Sequence, residues 1–226
     1  MLFLLATPPT AVPAESVLRA VQPVDQDWEP GCGTTDAGPL FRASIDPAPA
    51  DRMEFSWRVG CPVGIGDLRL LTLTYRGFDG AVHLGELVVH QDHALAVVGV
   101  FKMLFEEGFP IQRMKLVDEY QGDDDASMEA DNTSAFNCRL ATGSDDTWSQ
   151  HSYGWAIDIN PVQNPYVNGE TVLPPAGAAY LDRSNLRQGM VIDGDEVVDA
   201  FASIGWEWGG NWVSLKDYQH FSATGR

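Results

Sequence analysis

Cysteine is scarce in this chain: three in 226 residues, at Cys32, Cys61 and Cys138, with no Cys-x-x-Cys pair. That argues against a cysteine-rich zinc site, and an odd count leaves at least one thiol unpaired within the chain. Positive charge is also in short supply. The 14 Lys and Arg face 32 Asp and Glu, a formal net charge of -18. Such a chain repels nucleic acid, whose binding relies on Lys and Arg displacing counterions from phosphates, and it is repelled by anionic membrane surfaces. Long apolar runs are missing too. The opening stretch from Met1 to Ala14, MLFLLATPPTAVPA, is too short to span a bilayer, so no membrane insertion is expected. It lacks the basic start of a full signal peptide and reads as the remnant of one. No internal repeat or low-complexity tract is present.

What remains is a globular composition, 44% hydrophobic and only 20% charged, with enough chain for one sizeable core. The organisation expected is a leader remnant and linker over 1–30 and a single domain over 31–226, monomeric. Asp67 to Tyr75 alternates as a strand. Gly77-Phe78-Asp79-Gly80 turns it into a second strand from Val82 to Val89, giving a hairpin. Asp92 to Glu107 places Leu95, Val98, Phe101, Leu104 and Phe105 at helical spacing, closed by Gly108 and Pro110. His83, His90 and His93 fall on these elements with no carboxylate pattern beside them, so structural or surface roles are expected. Residues 118–131, DEYQGDDDASMEAD, read as a solvated acidic loop without the glycine and glutamate spacing of an EF-hand. A short helix is expected from Val197 to Ile204. A Cys32–Cys61 disulfide fits an exported protein, with Cys138 as a buried thiol; three reduced cysteines in a cytoplasmic protein is the alternative.

Chemistry concentrates between Trp148 and Pro161. His151 and Asp158 stand seven residues apart across a Ser-Tyr-Gly turn and the apolar segment Trp155-Ala156-Ile157-Asp158-Ile159-Asn160. A carboxylate in that setting must be paired, hydrogen-bonded or metal-bound to offset its desolvation. Residues seven apart on an ideal strand point to opposite faces, so convergence needs a bend, and Gly154 permits one. His220, in Asp217-Tyr218-Gln219-His220-Phe221, supplies a third ligand. Two nitrogens and one oxygen, with a fourth position open, is the coordination of catalytic Zn2+. The bland alternative is a capping histidine, an ion-paired aspartate and a half-buried histidine.

These residues carry a resemblance. Ser149-x-His151, Gly154-x-Ala156-x-Asp158 and Asp217-x-x-His220 look like the signatures of the zinc D-alanyl-D-alanine carboxypeptidase and dipeptidase family. Vancomycin-resistance peptidases and phage L-alanyl-D-glutamate endopeptidases are among its members. The segments from Asn132 to Arg139 and from Gly205 to Trp212 are similar to its bacterial branch, and the likeness runs over roughly residues 60–226. It implies an α+β fold, a small antiparallel sheet backed by helices of the hedgehog/DD-peptidase kind. Metal ligands would be His151, Asp158 and His220. Asp217 would be the general base, with Glu207 in reserve, since the family often has glutamate where this chain has Asp217. Arg139 would anchor a substrate carboxylate, with Ser149 and Ser127 as hydrogen-bonding neighbours. Trp206, Trp208 and Trp212 are read as core and pocket walls. The expected activity is hydrolysis of peptidoglycan stem peptides outside the cytoplasm, secreted or wall-associated. The favoured form is a D-alanyl-D-alanine carboxypeptidase; the alternatives are an L-alanyl-D-glutamate endopeptidase and an inactive binding module of the same fold.

Overall fold

The computed structural model describes residues 39–225. The leader and linker expected over 1–30, and Cys32, lie outside the described residues. Among the described residues, three antiparallel three-stranded sheets and three α-helices make an α+β fold, with the expected small sheet divided into three. The first sheet is β1 (Ala43–Pro47), β2 (Leu68–Arg76) and β3 (Val82–His90) in that order. Its hairpin pairs Leu68 with His90 and Arg76 with Val82, around the turn expected at Gly77 to Gly80. The period of two then sorts its side chains. Leu71, Leu73, Tyr75, Leu87 and Val89 enter the main core, whereas Leu68, Leu70 and Val88 face a second cluster with Met53, Leu116 and Phe136.

Helix α1 (Gln91–Glu107) packs across the main-core face of this sheet. Its buried stripe is Ala94, Val97, Val98, Phe101, Leu104 and Phe105, while Leu95 is 36% exposed and marks the solvent edge. His90 Nδ1 accepts from the Asp92 amide at 3.3 Å and caps the first turn. Gly108, at φ 79°, ends the helix in the left-handed conformation that L side chains avoid. His93 stacks edge-on against Trp155 and Trp206, and His83 pairs with Asp79 at 2.9 Å. The three histidines are thus a helix cap, an aromatic contact and a surface hydrogen-bond partner of Asp79.

The acidic stretch is more ordered than a loop. Asp123 accepts from the Ala126 amide at 3.1 Å and starts α2 (Asp124–Glu129). Acidic residues in that first turn suit the positive end of the helix dipole, a capping signal that the charge count concealed. Helix α3 (Glu196–Ala202) is capped in the same way by Asp195 and lays Val197, Ala200 and Phe201 into the main core.

The cysteine pairing differs from the expectation. Cys61 is bonded to Cys138, with Cα atoms 5.9 Å apart. The segment carrying Cys138 runs beside residues 56–61: the Cys138 amide donates to Ser56 O at 2.9 Å, and Arg58 Nη1 donates to Cys138 O at 2.7 Å. Seventy-seven residues separate the two sulfurs in the chain, so spacing could not disclose their meeting.

Candidate metal centre

The second sheet, in the order β4 (Ala156–Asp158), β9 (His220–Ser222), β7 (Glu207–Trp208), builds the site. Antiparallel register sets Asp158 directly opposite His220 and Ala156 opposite Ser222. On its other side the Asp158 backbone exchanges hydrogen bonds with Ser134, at 2.9 and 3.1 Å. His151 arrives from a single 3-10 turn (Gln150–Tyr153). Ser149 Oγ caps that turn by accepting from the His151 amide at 3.3 Å. Gly154 closes it at φ 71°, where an added Cβ would stand 2.5 Å from the His90 nitrogen. Glycine is therefore required here twice, for the backbone sign and for the close approach. This is the bend that lets His151 and Asp158 converge.

The three side chains meet, all buried. His151 Nε2 lies 3.1 Å from Asp158 Oδ2, His220 Nδ1 lies 3.1 Å from Asp158 Oδ1, and the two nitrogens are 3.2 Å apart. Tetrahedral zinc with ligands at about 2.0–2.1 Å requires ligand atoms about 3.3 Å from one another; the two nitrogens stand at nearly that spacing, and each lies 3.1 Å from a different oxygen of the one Asp158 carboxylate. Proton placement points the same way. His151 Nδ1 donates to Ala135 O at 2.6 Å, which in a neutral imidazole leaves Nε2 an acceptor facing the acceptor Asp158 Oδ2. Acceptors converge in this way on a cation or on an additional proton. Burial pushes the Asp158 carboxyl up, but the His151 charge and hydrogen bond, and then those of His220, outweigh it and hold Asp158 well below the usual carboxylate range. Among the described residues these three form the one group of His, Cys, Asp and Glu that could hold a metal ion.

A cleft of about 270 Å³ opens over the triad, walled in part by Trp148, Tyr166 and Trp212. Asp217 lines it from β8 (Lys216–Asp217), which pairs with β5 (Tyr166–Asn168), itself paired with β6 (Thr171–Leu173), in the third sheet. Burial pushes its carboxyl up to about 6, against the pull of the His220 charge. Asp217 Oδ1 is buried with no hydrogen-bond partner among the described residues. Glu207 is exposed on β7 and is absent from the cleft lining. Arg139 lines the cleft, with Nη2 paired to Asp124 Oδ2 at 2.7 Å.

Ser149 also faces the cleft, whereas Ser127 is turned inward, only 1% exposed, with Oγ accepting from Asn132 Nδ2 at 3.0 Å. The structure does not bring Ser127 to the cleft, because Asn132 draws its hydroxyl into the interior. Trp206 and Trp208 belong to the main core, while Trp212 walls the cleft. Sequence reasoning missed Asp124, whose only signal was its place in the first turn of a capped helix.

Residues 142–223 match the family model for D-alanyl-D-alanine carboxypeptidase. The resemblance to the peptidase family is shown over that segment, which contains His151, Asp158, Asp217 and His220. The hairpin, α1 and Arg139 lie outside the matched stretch. No curated protein and no solved structure matches the chain.

Proposed function

We propose that the protein is a zinc peptidase of the D-alanyl-D-alanine carboxypeptidase type, acting on peptidoglycan stem peptides outside the cytoplasm. The observation that carries this reading is the buried cluster of His151 Nε2, His220 Nδ1 and the Asp158 carboxylate, with the nitrogens 3.2 Å apart and each 3.1 Å from one carboxylate oxygen, inside the segment that matches the peptidase family. His151, Asp158 and His220 would hold Zn2+, which when bound supplies a Lewis acid that polarises a scissile carbonyl and activates water. Asp217 takes the proton of the attacking water and returns it to the departing amine. A carboxyl poised near 6 exchanges protons readily at neutral pH. Ala135 O fixes the His151 tautomer, and the Ser149 cap fixes the turn that aims it. Arg139 holds a substrate carboxylate at the cleft wall. The single domain over 31–226 and a monomeric state belong to the same proposal.

Metal analysis together with digestion of purified peptidoglycan tests it. One zinc per chain and release of a terminal D-alanine are expected. A product cut between L-alanine and D-glutamate would make the protein an endopeptidase using the same residues. Absence of both zinc and product would leave a binding module.

A further inference from the structure

We propose that Asp124 and Arg139 together recognise a substrate group that carries an ammonium and a carboxylate on one carbon, the free end of an α-amino acid. The proposal takes from the peptidase reading only the identity of the cleft as the substrate site. Asp124 Oδ2 and Arg139 Nη2 are 2.7 Å apart, with side chains 24% and 23% exposed. Both line the cleft over the triad. Arg139 is the only Lys or Arg among the described lining residues, against three aspartates, Asp124, Asp158 and Asp217.

Its backbone is fixed from several directions. The Arg139 amide donates to Ser152 Oγ at 2.9 Å, Arg139 O accepts from the Ser149 amide at 3.1 Å, and the preceding residue is the disulfide-bonded Cys138. Asp124 is held in the first turn of α2. The cleft wall is thus a pre-organised pair of opposite charges rather than a free arginine.

That pair discriminates by what it would leave uncompensated. A lone carboxylate must share Arg139 with Asp124, crowding two anions on one guanidinium, or displace Asp124 and leave a largely buried carboxylate unpaired. A lone ammonium meets Asp124 but approaches the Arg139 cation. A zwitterionic head offers its carboxylate to Arg139 and its ammonium to Asp124, so each of the four charges keeps an opposite neighbour.

Three synthetic stem-type peptides separate these cases, differing only in one side chain: 2,6-diaminopimelate, whose far end is zwitterionic; 2-aminopimelate, which has only the carboxylate; and lysine, which has only the ammonium. Binding is measured by calorimetry and hydrolysis is measured separately, so an inactive protein still reports on the proposal. The parent should bind the diaminopimelate peptide at least about tenfold more tightly than either of the others, a difference of about 1.4 kcal/mol. In Asp124→Asn the diaminopimelate and 2-aminopimelate peptides should bind alike, because the residue that rewards the ammonium and penalises the bare carboxylate has lost its charge. Equal or tighter binding of 2-aminopimelate by the parent, or an Asp124→Asn variant that keeps the full preference, would overturn the proposal.

Discussion

Nine residues of β2 pair with nine of β3, and α1 behind them runs for 17, whereas β4, which carries Asp158, and β9, which carries His220, have three residues each. The long elements are built from repetition. Alternating leucines and a helical stripe bury Leu71, Leu73, Phe101 and Leu104 almost completely, and any one contact is a small part of the whole. The site is built from single contacts that have no repeat behind them. His151 depends on one cap at Ser149, one glycine at 154 and one carbonyl at Ala135. Stability is therefore distributed in the first region and function is concentrated in the second, so that substitutions should separate the two.

The largest effect on function should come from His151→Ala or His220→Ala. Each removes one of three metal-ligand candidates and leaves Asp158 buried against a single histidine, so bound zinc, read by elemental analysis, should fall below about one tenth of stoichiometric. The hairpin and α1 should persist, with far-ultraviolet circular dichroism little changed. Full metal content in either variant would reassign that ligand.

Asp217→Asn tests the separation within the site. Zinc should remain while kcat drops by roughly 10²–10⁴, the usual cost of losing general acid–base help; near-parental kcat would remove Asp217 from that role. The same variant carries a pH signature in metal-stripped protein. Folding raises the Asp217 carboxyl to about 6 from an unperturbed 3.8, so its contribution to stability is fully present below about pH 4 and is lost as pH rises through 6. Asparagine should accordingly be more stable than the parent at pH 8, by up to about 3 kcal/mol, and lose that advantage at pH 4. A constant difference across the range would mean that the carboxyl is not shifted.

On the scaffold, Phe101→Ala should cost about 3–5 kcal/mol in denaturant unfolding, because it empties a site of 2% exposure in the main core. Leu95→Ala, about one and two-thirds turns away on the same helix and 36% exposed, should cost well under half as much. Comparable losses would show that the helical stripe is placed wrongly. Zinc stoichiometry of the folded protein should be unchanged in both.

The last test joins the two regions. Cys61→Ala with Cys138→Ala opens a closed loop and should lower stability by about 2–4 kcal/mol. Because Cys138 precedes Arg139, KM for a carboxylate-bearing peptide should rise more than kcat falls. An unchanged KM would show that Ser152 and Ser149 alone hold the Arg139 segment.

Local chemistry in the sequence determined the regular half: the period of two in β2 and β3, the Phe78-Asp79 turn and the Gly108 stop are all interactions among near neighbours. It also singled out Asp158, because a carboxylate in an apolar segment demands a partner, and His151, because a glycine between the two permits a bend; His220 followed as a third ligand, and the role of Asp217 came from the family resemblance. Only the tertiary structure decided what those partners are. The register of β4 on β9 brings Asp158 opposite His220 across 62 residues. The crossing of residues 56–61 over 138 joins Cys61 to Cys138 rather than to Cys32, and the packing of α2 puts Asp124 on Arg139. Ser127, on the same helix, turns inward toward Asn132. Apart from the local Ser127–Asn132 contact, each of these pairs short segments distant in the chain, and a short segment has too few residues to write a period into its sequence.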